Sequence, residues 1–360
     1  MLKTITPIDN TIYVEREYHS EKIEQTLDNS MKAQKDWANL HVNERVKLLE
    51  DFVEDFLSRA DVIEEELSRQ IGRPISQAAG ELKGFKERAD YMLSIAQSKL
   101  ADIHVTKNDN FKNFIKRRPL GVVFVIAPWN YPYLTAVNSI IPAMAAGNTV
   151  ILKHSSQTPL CAEQLFDAAT KASLPKNVFQ FLHLDHSSTS RVISDSRINH
   201  VLFTGSVSGG KQVKKSIGTR FIGAGLELGG KDPAYVKSDA DLNHAVENLV
   251  DGALFNSGQS CCGIERIYVD QSIYQDFIDG FKSITEQYKL GDPSLEDTNL
   301  GPVVRMSAAK FIRTQMSEAE KQGAQRLIDE SKFSIAKEDN CYIAPQVMIN
   351  VDHSMRFMME

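Results

Sequence analysis

The sequence is poor in cysteine: four residues in 360, too few to frame a chain of this size with disulfides. Two of them, Cys261 and Cys262, are neighbours and poorly placed to bridge each other. A reducing compartment is expected. No stretch approaches roughly 18 uninterrupted apolar residues, and the opening Met-Leu-Lys-Thr-Ile-Thr-Pro lacks a basic segment followed by an apolar one. Neither a membrane span nor a leader is expected, and the reading is of a soluble cytoplasmic protein. An excess of basic charge is also missing: 41 Lys and Arg stand against 47 Asp and Glu, which offers no footprint for nucleic acid or an anionic membrane. Repeats and low-complexity tracts are absent. What is present is 42% hydrophobic and 24% charged residues, an ordinary globular composition that excludes disorder, collagen and coiled coil. The length exceeds what one core organises, so two or more domains are expected.

The first hundred residues read as helical and charged, with Val46, Leu49, Phe52, Val53, Phe56 and Leu57 on one face of a helix over 43–58. Residues 103–118 turn polar and strand-like around Asn108-Asp109-Asn110, the pattern of a protruding hairpin. From Gly121 short apolar runs, 121–127, 149–152, 178–183 and 200–204, alternate with candidate helices over 133–146, 158–173 and 209–217. That alternation predicts an α/β fold with a parallel sheet covered on both faces. Ligands then belong beyond the carboxyl ends of the strands, in the loops after Ala127, Leu152 and Thr204. A second series follows, with strands over 233–236 and 266–269 and helices over 241–256, 272–288 and 305–323.

Those loops hold the candidate chemistry. Ala127-Pro128-Trp129-Asn130-Tyr131-Pro132 is stiffened by two prolines; Asn130 either aims amide donors into a cleft or belongs to a rigid turn around a buried Trp129. Lys153 closes the second strand and reads as a partner for an anionic or hydroxyl-rich ligand, or as a solvated charge. Ser156 matters by what it is not. A carboxylate near a ribose accepts from the 2′-hydroxyl and repels a 2′-phosphate, whereas serine tolerates either. Gly205-Ser206-Val207-Ser208-Gly209-Gly210-Lys211 fits the first seven positions of a phosphate-binding P-loop, but the next residue is Gln212 rather than Ser or Thr. A glycine-rich turn at a helix start suits a pyrophosphate equally well. The G-x-G-x-x-G fingerprint does not occur, so a dinucleotide must be held differently. Glu227, between Leu226 and Leu228, is read either as a desolvated carboxylate whose pKa rises toward that of a base or as a surface residue beside a turn. Cys261, on the glycine-flanked loop Gly258-Gln259-Ser260-Cys261-Cys262-Gly263, suits an accessible thiolate nucleophile activated by local dipoles. The cysteine spacing supports no metal site.

Pro128-Trp129-Asn130, Lys153, Phe203-Thr204-Gly205-Ser206, Leu226-Glu227-Leu228-Gly229-Gly230-Lys231 and Gly258-Gln259-Ser260-Cys261 occur in an order that resembles the aldehyde dehydrogenase superfamily, as does Asn299-Leu300-Gly301-Pro302. The resemblance implies a Rossmann-like cofactor domain, a second α/β catalytic domain and oxidation of an aldehyde with NAD or NADP. It makes Cys261 the nucleophile, Asn130 the oxyanion donor and Glu227 the base that activates water against a thioester. Trp129, Lys153, Ser156, Gly205, Ser206 and Gly210 match positions around the cofactor. Because many NAD-preferring relatives carry glutamate where Ser156 stands, use of NADP, alone or beside NAD, is expected. Tyr131, Thr135, Asn138, Phe255, Ser260 and Cys262 fall where relatives line the aldehyde channel. Relatives acting on succinate semialdehyde often have arginine in place of Asn138, which weighs against that substrate and leaves small neutral or hydroxylated aldehydes open.

The resemblance also divides the chain into a cofactor domain over 1–103 and 119–230, an oligomerisation arm over 104–118 and a catalytic domain over 231–360. A homodimer or homotetramer is implied where the full-length C-terminus is present. Family members continue beyond Glu360 into a Glu-x-Phe-Gly-Pro motif, so a catalytically silent family fragment is one alternative; the pattern over 205–211 leaves a P-loop nucleotidase as a distant other.

Overall fold

The computed structural model describes residues 1–108 and 111–360. The chain divides into two compact units: Met1–Lys3, Val14–Ile63 and Gly80–Leu228 form the first, and Thr4–Tyr13, Glu64–Ala79 and Gly229–Glu360 the second. The main division falls at Leu228/Gly229, but two early segments, Thr4–Tyr13 and Glu64–Ala79, belong with the second unit rather than with the cofactor domain in which the sequence reading placed them.

In chain order the N-terminal elements are β1 (Leu2–Ile5), β2 (Ile12–Arg16), α1 (Ile23–Asn39), α2 (Val42–Leu57), α3 (Ala60–Ile71) and α4 (Ile75–Leu100). On α2 the face carrying Leu49, Phe52, Val53 and Phe56 is buried, as its spacing predicts. Arg45 is buried with them, a position the apolar pattern does not mark. Next come β3 (Ile103–Asn108) and β4 (Phe111–Ile115), an antiparallel hairpin pairing Ile103 with Ile115. Asp109 and Asn110 of the expected turn lie outside the described residues. The hairpin's Val105, Phe111 and Ile115 are exposed.

The first unit is built on β5 (Val122–Ile126), α5 (Pro132–Ala145), β6 (Thr149–Lys153), α6 (Pro159–Lys171), β7 (Phe179–Phe181), α7 (His186–Ser194), β8 (Ile198–Gly205), α8 (Val207–Ile217) and β9 (Gly223–Leu228). Its five strands are all parallel, in the order β7-β6-β5-β8-β9. β5 and β6 are buried along their whole lengths, as central strands covered on both faces must be. Phe124, Ile151, Val201 and Val213 share one core with Ile23 and Leu27 of α1.

The second unit contains β10 (Asp232–Val236), α9 (Leu242–Leu254), β11 (Ile264–Val269), α10 (Tyr274–Thr285), α11 (Met306–Lys321), β12 (Gln325–Arg326), β13 (Met348–Ile349) and α12 (Arg356–Met359). β10 and β11 pair in parallel. Val236, Val246, Val250, Phe277 and Phe281 form the core beneath them. No helix among the described residues is long and apolar enough to cross a membrane.

Candidate active site

Because the five strands of the first unit run the same way, the residues at their carboxyl ends share one edge of the sheet. The order reverses direction at β5, flanked by β6 and β8, which is where a doubly wound sheet opens a crevice. The half-buried Trp129 and Asn130 follow β5, Lys153 ends β6, Gly205 and Ser206 follow one another at the end of β8, and Glu227 stands one residue from the end of β9.

The loop after β5 is fixed by the helix it enters. Pro132 takes the first position of α5, where its missing N–H costs nothing. The carboxylate of Glu81, only 2% exposed, accepts the next two amides, from Tyr133 at 2.9 Å and Leu134 at 2.8 Å. At the other end of α5, Trp37 Nε1 donates to the Met144 carbonyl and Arg45 Nε to that of Ala145, both at 2.9 Å. An anion at the start and a cation at the end each favour the helix dipole.

Lys153 is 9% exposed, and among the described residues no hydrogen-bond or ion-pair partner is found for its ammonium. Burial pushes it down to about 8. The solvated-charge reading does not hold, because the amine is buried. His154, buried, lies 2.9 Å from Thr158 Oγ1 through Nδ1 and 3.2 Å from the Pro132 carbonyl through Nε2, linking the loop after β6 to the start of α5. Burial drives it down to about 3, so it is neutral at physiological pH. Ser156 is exposed at the tip of the same loop.

α8 begins at Val207, two residues earlier than expected, with Ser206 as its cap: Ser206 Oγ accepts from the Gly209 amide at 3.1 Å. This corrects the P-loop alternative. Gly209, Gly210 and Lys211 are already helical, so no open loop separates Gly205 from the lysine. Gly205 has no room for a side chain, since a Cβ there would meet the Phe203 ring at 2.6 Å. At Gly210 a Cβ would come within 2.7 Å of Leu228 Cδ2.

Glu227 departs from the desolvated-base reading. It is exposed, whereas Leu226 and Leu228 are half-buried. Alternation along a strand explains this: flanking residues point to the opposite face and cannot bury the one between them.

In the second unit Cys261 and Cys262 are both exposed. Partial desolvation, then the neighbouring Cys262 thiol, push the Cys261 thiol up and outweigh the backbone hydrogen bond that lowers it, so local dipoles do not bring it down on balance. What precedes Cys261 is unusual. After α9 the backbone takes the left-handed conformation three times in succession, at Asn256 (φ 53°), Ser257 (φ 57°) and Gly258 (φ 72°). A non-glycine residue in this region costs roughly 1–2 kcal/mol, so the turn persists only because its surroundings hold it. Asn256 is 1% exposed and its Oδ1 accepts from Nε of the equally buried Arg73 at 3.2 Å.

A sequence model described as the aldehyde dehydrogenase family matches residues 1–360. The chain belongs to the aldehyde dehydrogenase family. It is 31% identical over 336 residues to an Escherichia coli succinate semialdehyde dehydrogenase named for NAD(P)+, covering 93% of this chain and 72% of that protein. It is 30% identical over 332 residues to an NADP(+) D-glyceraldehyde dehydrogenase of Picrophilus torridus, covering 91% and 67%. Among solved structures, NADP-dependent glyceraldehyde-3-phosphate dehydrogenase from Bacillus halodurans, complexed with NADP, superimposes with a TM-score of 0.90 at 28% identity, covering 99% of this chain and 74% of that one. A NAD-dependent benzaldehyde dehydrogenase from Corynebacterium glutamicum gives 0.91 at 26% identity, covering 99% and 77%. The family and the α/β fold expected from the motifs are therefore established.

The first unit of this aldehyde dehydrogenase family member brings Trp129, Asn130, Lys153, Gly205, Ser206 and Glu227 to one sheet edge. Cys261 stands in the second unit. Of the expected channel residues, Thr135 turns its hydroxyl back to the Tyr131 carbonyl at 2.6 Å and the exposed Asn138 donates to that of Leu134 at 3.3 Å. Phe255 and Ser260 are half-buried, and Ser260 Oγ lies 3.3 Å from Cys262 Sγ. Sequence reasoning missed Glu81, His154, Arg73 and Asn256. The only signal was Asn256 and Ser257 before a glycine, residues that tolerate left-handed turns.

Proposed function

We propose that this chain oxidises an aldehyde to a carboxylic acid with reduction of NAD or NADP. The observation that carries the reading is Cys261, the exposed thiol set by a strained turn in a chain matched end to end by the aldehyde dehydrogenase family. Cys261 sulfur attacks the aldehyde carbonyl to give a thiohemiacetal, and Asn130 donates to the developing oxyanion. The bound nicotinamide supplies the hydride acceptor. Loss of hydride leaves a thioester on Cys261, and water activated by Glu227 releases the acid and restores the thiol. An exposed carboxylate suits the last step, because it reaches solvent water directly.

The residues of the first unit fit a dinucleotide. Lys153 offers its ammonium to the adenosine ribose, Gly205, Ser206 and Gly210 form a close helix start for the pyrophosphate, and Trp129 flanks the cofactor. Ser156 sets no carboxylate against a 2′-phosphate, which supports use of NADP, in line with the names of the relatives from Picrophilus and Bacillus. Those names and Asn138 favour a small aldehyde bearing hydroxyl or phosphate groups over one bearing a distal carboxylate, although the Escherichia coli relative is named for the latter. The first unit thus serves as cofactor domain, the second as catalytic domain, and the exposed hairpin of β3 and β4 as the arm of a homodimer or homotetramer. Four free thiols fit a cytoplasmic setting.

The test follows nicotinamide reduction by the purified chain with NAD and NADP and a panel of neutral, hydroxylated, phosphorylated and carboxylated aldehydes. Aldehyde-dependent reduction with both cofactors, lost by more than about a thousandfold in Cys261→Ala, is the expected result. A folded chain that binds cofactor but never reduces it overturns the reading, as does activity that survives Cys261→Ala.

A further inference from the structure

Two segments of the second unit converge on the turn before Cys261, and bonds within the turn add to them. From 72–77, Arg73 Nε donates to Asn256 Oδ1 at 3.2 Å and Gln77 Oε1 accepts the Asn256 amide at 3.2 Å. From 301–304, the Gly301 carbonyl accepts from Ser257 Oγ at 2.9 Å and the Val304 amide donates to Gln259 Oε1 at 2.8 Å. Within the turn, Asn256 Nδ2 donates to the Gln259 carbonyl at 3.4 Å, and Gln259 Nε2 returns a bond to the Asn256 carbonyl at 3.1 Å. Both polar ends of the Asn256 side chain are thus engaged while its backbone is left-handed. The strained residues lie three to five positions before the thiol, too close for the loop to relax without moving it.

We propose that Arg73 is a positioning residue: by gripping Asn256 it holds the left-handed run Asn256-Ser257-Gly258 and thereby sets the position of Cys261. Arg73 is 1% exposed and is not itself a reacting group. A buried guanidinium is an expensive way to fill a core, and its Nε–H directed at the Asn256 amide oxygen ties that cost to the turn. Gln77 supports the same turn from its amide side and is anchored by its Nε2 bond to the Asn299 carbonyl at 2.9 Å.

The catalytic consequence rests on Cys261 being the nucleophile, so the experiment reads the thiol first and turnover second. Iodoacetamide incorporation at Cys261 is measured in a Cys262→Ser background, with circular dichroism as the check on folding. Arg73→Met and Gln77→Leu are each expected to change the alkylation rate at least threefold. Adding Ser257→Gly to Arg73→Met, which removes the left-handed cost at position 257 together with the Ser257 Oγ bond to Gly301 and does not restore the Arg73 contact, is expected to return it to within twofold of the parent. With aldehyde and cofactor, kcat of Arg73→Met falls about tenfold and KM for the cofactor stays within twofold, with the same rescue. An unchanged alkylation rate in both single variants, or a change that Ser257→Gly does not reverse, overturns the proposal. Should Arg73→Met fail to fold, Gln77→Leu decides, alone and with Ser257→Gly, by the same criteria. A parent without aldehyde oxidation leaves the alkylation result standing, so failure of the two readings is distinguishable.

Discussion

Lys153, proposed to meet the cofactor, is marked by what its burial costs. A buried ammonium with no partner among the described residues disfavours folding unless a ligand compensates it. Its folded pKa, about 8, lies below the roughly 10.4 of the unfolded chain. Below pH 8 both states are charged and the penalty is fully present; as pH rises toward roughly 10.4 the folded state sheds the proton first and the penalty fades. Lys153→Met is therefore expected to raise stability at pH 7 by about 1–3 kcal/mol, measured by urea unfolding, while weakening cofactor binding at least tenfold by fluorescence titration. Loss of both stability and affinity would contradict the role. Cys261 carries a complementary prediction. Since its surroundings push the thiol up, alkylation in the cofactor-free protein should rise with pH through an inflection above the roughly 8.5 of a free cysteine, and an inflection below that value would show an activating group that the cofactor-free chain does not display.

At the scale of elements, α5 carries the proposed oxyanion donor at its entrance and is clamped at both ends by buried charges. Replacing Glu81 by alanine removes the acceptor of two first-turn amides, so Glu81→Ala should lower stability by about 1–3 kcal/mol in thermal or urea unfolding; an effect under about 0.5 kcal/mol would show that the clamp is idle. This clamp marks the limit of what the sequence made legible. The near-continuous apolar runs of β5 and β6 announced buried parallel strands, and the short loops after them announced the sheet edge. β9 escaped because Gly223-Ala224-Gly225 has little strand propensity, and with it went the alternation that exposes Glu227. Glu81, Arg45 and Arg73 escaped for a deeper reason: charged residues are so rarely buried that periodicity assigns them to the surface, and only their partners in space, Tyr133, Ala145 and Asn256, reveal their tasks.

Across the whole molecule the residues proposed to act are divided between two compact units, with Trp129, Asn130, Lys153 and Glu227 at the edge of a parallel sheet in the first and Cys261 just after a strained turn in the second. Family membership fixes the reaction class, while Cys261 and Glu227 carry the claim that the class is realised here by thioester formation and hydrolysis. The most direct measurement is peptide mapping by mass spectrometry after the chain, as parent and as Glu227→Gln, is mixed with an oxidisable aldehyde and NADP. The account predicts that Glu227→Gln gives one equivalent of reduced nicotinamide and then stalls, with an acyl group, the aldehyde less one hydrogen, replacing the thiol hydrogen of Cys261. Aldehyde oxidation that leaves Cys261 unacylated in Glu227→Gln, or that acylates a different residue, would contradict it.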